Sequence, residues 1–118
     1  MREIKFRYTC KRENGHTFFR IFTLEQIESG EVRQWWELNF IGKDGELHKD
    51  QYIGLLDKNG KEIYEGDLLN GLHHNYPVTY FSAEARFEAT LKECYIPTCD
   101  WYRYEVIGNI YENEDLLK

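Results

Sequence analysis

Turn signals recur at short intervals along this chain, and they limit how long any element between them can be. Asn14-Gly15, Lys43-Asp44-Gly45, Asp57-Lys58-Asn59-Gly60, Gly66-Asp67 and Gly108-Asn109 each pair a glycine with an Asn or Asp able to bond nearby backbone. The intervening segments read mostly as strands. Ile4-Lys5-Phe6-Arg7-Tyr8 alternates with period two, placing Ile4, Phe6 and Tyr8 inward and Lys5 and Arg7 outward. Thr17 to Phe22 is rich in aromatic and β-branched residues and is expected to form a hairpin with it. Tyr52-Ile53 and Ile63-Tyr64 flank the Asn59-Gly60 turn as a second hairpin, and Leu68-Leu69 opens a further strand.

Trp35 to Ile41 and Trp101 to Ile107 also read as strands, because aromatic and β-branched residues suit a half-buried pleated surface. In a strand, one of the adjacent Trp35 and Trp36 faces away from the core, as does one of Trp101 and Tyr102. Val78 to Phe81 is another strand. Residues 83–92 hold good helix formers, yet Ala85, Phe87, Ala89 and Leu91 alternate with polar residues, which favours a strand there and leaves a helix as the alternative. Thr23 to Gly30 reads as a short helix, with Thr23 capping, Gln26 completing a capping box and Gly30 closing the end. Asn113 is expected to cap a final turn.

These elements imply an α+β class that is mainly β: a compact, partly closed barrel or sandwich with an SH3-like core and one or two short helices. The 118 residues are 42% hydrophobic and 16% aromatic, enough for one core without disulfides or metals as staples. No linker or repeat divides the sequence, so a single domain over 1–118 is expected. No apolar run approaches the ~20 residues of a membrane span, and the N-terminus lacks a secretion-signal pattern. A cytoplasmic location with no membrane partner is the expectation.

The net charge of −6 is uneven: residues 1–20 carry +4 and the remainder −10. An acidic surface repels a phosphate backbone. The basic segment around Lys5 and Arg7 is then either a local anion site or the solvated face of an edge strand. Cys10, Cys94 and Cys99 are odd in number, which argues against a disulfide framework. Cys94 and Cys99 with His73 or His74 match no common zinc spacing, and as a nucleophile pair they have nothing to distinguish them from chance. Gly54 to Gly60-Lys61 lies near a phosphate-loop spacing, but Glu62 replaces the required hydroxyl residue. Glu62, Glu65 and Asp67 sit among turns, where solvated acids are ordinary. No metal or cofactor is expected, and an enzyme is the least favoured reading.

Three stretches resemble the YopX family of phages and prophages of Gram-positive bacteria: Met1 to Arg7, Gln51 to Leu69 (QYIGLLDKNGKEIYEGDLL) and Glu105 to Leu117 (EVIGNIYENEDLL). Ile53 stands where the family often has Thr, and Glu114 where it often has Pro. Residues 70–104 are the least family-like. The resemblance implies a mobile-element protein but no catalytic residue or cofactor. Gly54, Gly60, Gly66, Asp57, Asp67, Gly108 and Asn109 therefore read as architecture: turns, bulges and close approaches. The leading expectation is an accessory protein that binds other proteins and forms a homo-oligomer, with host or phage partners and with Trp35 and Trp36 as interaction residues. The alternatives are a nucleic-acid-binding module using Lys5 and Arg7, or an acidic inhibitor of a host DNA-acting protein.

Overall fold

The computed structural model describes residues 3–13, 15–39, 45–71, 74–81, 86–91 and 94–117. The chain divides into two compact units, Met1–Gln51 and Tyr52–Lys118. Its strands form two antiparallel sheets with a few short helices, a mainly β arrangement within the α+β class. Among the described residues neither sheet closes into a barrel.

In the first unit, β1 (Lys5–Lys11) is flanked by β2 (Thr17–Thr23) and by the first half of β3 (Glu46–Leu56), both antiparallel. The hairpin register runs from Lys5 opposite Thr23 to Lys11 opposite Thr17. β2 leads into α1 (Leu24–Glu28), whose start is fixed by a complete capping box between Thr23 and Gln26. Gln26 N–H donates to Thr23 Oγ1 at 3.3 Å, and Thr23 N–H donates to Gln26 Oε1 at 2.9 Å. Gly30 closes the helix with φ +87°.

The next element departs from the strand expected over Trp35 to Ile41. Glu31–Asn39 is a helix, α2. Val32, Trp35 and Trp36 recur at the i, i+3, i+4 spacing of one helical face, while Arg33 and Glu37 pair at 3.1 Å on another. β-propensity is chiefly a packing preference, and here the aromatic rings find their packing as a helical stripe. Trp35 meets Phe18 and Phe22 edge-on at 5.8 and 5.6 Å, completing a core with Tyr8 and Cys10. Asn14, the Lys43-Asp44 part of the reversal, and Phe40 and Ile41 lie outside the described residues.

The second unit begins with the remainder of β3, which pairs with β4 (Glu62–Tyr64). β5 (Asp67–Asn70), β6 (Asn75–Phe81), β7 (Arg86–Leu91), β8 (Cys94–Ile96) and β9 (Val106–Asn109) form a five-stranded sheet in the order β8-β7-β6-β5-β9. Residues 86–91 are thus strand, with Ala89 fully buried as the alternation requires; residues 82–85 and 92 lie outside the described set. Trp101 to Ile107 is corrected in its first half. Thr98–Arg103 is a 3₁₀ helix after Pro97, and only Val106 and beyond is strand. Pro97 denies the sheet a backbone donor, and the 3₁₀ turns swing Trp101 fully into the core, where its indole N–H donates to Ile96 C=O at 2.8 Å. Tyr102 points outward, as one of that pair was expected to do.

Candidate functional site

The family-like residues hold the second unit together. Gly60 takes φ +80° and closes a turn in which its N–H donates to Asp57 C=O at 3.0 Å. Asp57 sits beneath this turn, 5% exposed. Its Oδ1 accepts from Asn59 N–H at 2.8 Å and Lys61 N–H at 2.9 Å. Its Oδ2 accepts at 2.9 Å from Val106 N–H, on β9 and far along the chain. Burial pushes this carboxyl up, but the backbone donors from Val106, Lys61 and Asn59 outweigh it and hold the group below its ordinary range. One side chain therefore fastens the β3–β4 turn to β9. Asp67, almost fully buried, accepts from Tyr64 N–H at 2.8 Å across the Gly66 turn. Gly54 lies where the β3–β4 register shifts and takes φ +94°. Gly108 lies at the bulge where β5–β9 register shifts, and a Cβ there would collide with Asn113. Asn109 Oδ1 accepts from both Tyr111 N–H and Glu112 N–H at 2.9 Å. Asn113 Oδ1 reaches back to accept from Asn109 N–H at 3.2 Å. Each of these carboxylate and amide oxygens is spent on backbone donors, which is a structural role.

The residues singled out for interaction are placed differently from expectation. Trp35 and Trp36 both pack on the first unit's core, Trp35 at 8% exposure, so neither is an outward platform. Arg7 is not on a solvated face. It is buried, and its Nη2 lies 3.8 Å from Oδ2 of the equally buried Asp50, directly opposite on β3. Lys5 is largely covered and lies 3.5 Å from Glu3. β1 has β2 and β3 along its two edges, and Arg7 to Cys10 are buried on both of its faces, whereas the period-two reading assumed one buried face. The basic N-terminal strand consequently presents little free positive charge for a phosphate backbone.

Exposed apolar side chains lie elsewhere. In the first unit the most exposed described large apolar side chain is Phe19, at 55%, on the outermost strand β2. In the second unit it is Tyr95, at 68%, on the outermost strand β8. Sequence reading missed both, since strand order in a sheet has no local signature. Tyr95 overhangs a cleft of about 270 Å³ lined by Arg86, Phe87 and Glu88 of β7 and by Ile96 and Pro97. Arg86 Nη2 is paired with Glu88 Oε1 at 2.8 Å, so the cleft offers a neutralised polar wall and an aromatic lip. It is smaller than the roughly 300–1,000 Å³ of small-molecule pockets and is of a size to take a protein side chain.

Cys10 is buried in the first unit's core, where desolvation pushes its thiol up to about 11 against the lowering effect of Arg12. That thiol is inert packing. Cys99 is exposed on the 3₁₀ helix and His74 is exposed before β6; His73 lies outside the described residues. Among the described residues no group of three or more His, Cys, Asp or Glu side chains is placed to hold a metal ion. No described helix is long and apolar enough to cross a membrane.

Residues 5–118 match the family described as YopX protein. A solved structure, the crystal structure of protein EF1440 from Enterococcus faecalis, aligns over the full length of both chains with TM-score 0.54 and 21% identity. At that identity the likeness is one of fold. No curated protein matches the chain.

Proposed function

We propose that this chain, which belongs to the YopX family, is a non-catalytic accessory protein that works by binding other proteins, its own copies among them. The observation that carries the reading is the position of Phe19 and Tyr95: the most exposed described large apolar side chain of each unit stands on an outermost strand. An outermost strand presents backbone donors and acceptors as well as side chains, and partners are recruited there by strand addition. Natural proteins ordinarily protect such strands with charge or proline, so large apolar side chains there favour use over neglect.

A phage or prophage setting and a cytoplasmic place of action belong to the same proposal. The nucleic-acid alternative is weakened by the burial of Arg7 against Asp50 and by the covering of Lys5 beside Glu3. The acidic-inhibitor alternative draws only on the net charge of −6. Size-exclusion chromatography with light scattering, at low and high salt and with absorbance at two wavelengths, tests the reading. A defined assembly free of nucleic acid is expected. A monomer carrying nucleic acid that salt removes would overturn it.

A further inference from the structure

We propose that Asn59 is a site of spontaneous deamidation, and that the Asp57 clamp keeps it chemically silent while the second unit is folded. An asparagine followed by glycine is the pair most open to this reaction, because glycine has no side chain to shield its backbone nitrogen. The Gly60 nitrogen loses its proton and attacks Cγ of the Asn59 side chain. A bond forms between Gly60 N and Asn59 Cγ, and the bond from Cγ to Nδ2 breaks. The proton lost by Gly60 ends on the leaving nitrogen, which departs as ammonia. Water then opens the cyclic imide. Opening at Cγ leaves an aspartyl residue. Opening at the backbone carbonyl leaves an isoaspartyl link, in which the main chain runs through the former side chain and is one carbon longer.

The sequence holds three such pairs, Asn14-Gly15, Asn59-Gly60 and Asn70-Gly71. Asn59 is exposed, so water reaches it, yet the turn opposes ring closure. Residues 58–60 form the loop of the β3–β4 hairpin, closed by Asp57 N–H donating to Lys61 C=O at 2.8 Å and ending on Gly60 at φ +80°. That is a type I turn followed by a glycine bulge. Its third residue, Asn59, has ψ of about 0°, so the Gly60 nitrogen eclipses the Asn59 nitrogen. Ring closure needs it to eclipse Cβ instead. The Gly60 N–H is also committed, donating to Asp57 C=O at 3.0 Å. One side chain enforces this shape: Asp57 Oδ1 accepts from Asn59 N–H and Lys61 N–H, which flank the reacting peptide.

The clamp and the isoaspartyl product exclude each other. The added carbon lies between those two N–H groups, so Oδ1 no longer collects both. The anchor from Asp57 Oδ2 to Val106 N–H on β9 is loosened with it. Deamidation is therefore a one-way step, after which the turn does not regain its former shape. Asn70 supplies a control. It is exposed too, but it lies on β5, where its N–H donates to Glu105 C=O at 2.9 Å and Gly71 N–H donates to His74 C=O at 2.8 Å. Backbone bonds, not the Asp57 carboxylate, hold that pair.

The full chain incubated at mildly alkaline pH tests this, with peptide mass spectrometry following Asn59 and Asn70 in the same sample. Folded wild type is expected to keep Asn59 intact, while the urea-unfolded chain converts both. Asp57→Ala, shown by circular dichroism to be folded, is expected to convert Asn59 about tenfold faster or more than folded wild type, with Asn70 unchanged. Tenfold is the change that ~1.4 kcal/mol of turn stability produces. Folded wild type converting Asn59 as fast as the unfolded chain overturns the proposal. So does an Asp57→Ala protein in which Asn59 and Asn70 quicken together, or in which neither does. If Asp57→Ala fails to fold, Asp57→Asn, which keeps one oxygen acceptor, takes its place with the same selective rise at Asn59 expected. The wild-type comparison decides without either variant.

Discussion

Replacing Asp57 by alanine should destabilise the protein far more than an exposed turn residue normally would. The carboxylate accepts three backbone donors, two from its own turn and one from Val106 on β9. Asn59 and Lys61 are exposed, so in the variant their N–H groups turn to water, and each lost bond costs about 0.5–1 kcal/mol. Val106 is buried, and its N–H is left without an acceptor, a penalty of about 1–3 kcal/mol. The sum is about 3 kcal/mol, a large part of the ~5–15 kcal/mol that holds a domain folded. Urea unfolding at neutral pH, followed by tryptophan fluorescence, should show the midpoint falling with the slope preserved. A loss below about 1 kcal/mol would refute the view that one carboxylate fastens the turn to β9.

The same residue fixes a pH dependence. Because the folded carboxyl lies below its ordinary value of 3.8, its contribution is complete above that value and is lost as pH falls through the folded pKa. Asp57→Asn lacks this titration. The stability gap between wild type and Asp57→Asn should therefore be constant from neutral pH down to about 4 and shrink in stronger acid. A gap that widens on acidification would reverse the sign and sink the argument.

Trp101→Ala should cost about 3–5 kcal/mol, and Trp101→Phe less, with calorimetry as the check, since the ring is fully buried and its N–H is bonded to Ile96. Gly60→Ala should cost about 1 kcal/mol from backbone strain alone, because a Cβ there meets nothing within 4 Å; a loss several times larger in urea titration would contradict this. Iodoacetamide at mildly alkaline pH should label Cys99 rapidly in the folded protein and Cys10 only on unfolding, as peptide mass spectrometry would show; prompt labelling of Cys10 would contradict its burial.

Sequence alone determined the features whose causes are local. The capping box of Thr23 and Gln26 and the turns at Gly60 and Gly66 depend on neighbours a few residues away, and each formed where the sequence placed it. The first strand of the hairpin and the buried side of residues 86–91 followed from period-two alternation, and Thr17 to Phe22 from its aromatic and β-branched composition, signals that each strand carries within itself. Tertiary structure decided everything that depends on what lies across the gap. Trp35 and Trp36 carry a strand-like composition, yet Phe18 and Phe22 offered a surface that a helical stripe fits. Arg7 alternates as a solvent-facing residue would, but β1 became a central strand and Asp50, more than forty residues on, arrived opposite it. Asp57 was legible as a turn residue, whereas its bond to Val106 was not, because that donor reaches it only once β9 is in place. The exposure of Phe19 and Tyr95 belongs to the same class: a strand's residues specify its pleat, while its place at the edge of a sheet is fixed by which other strands pair and in what order.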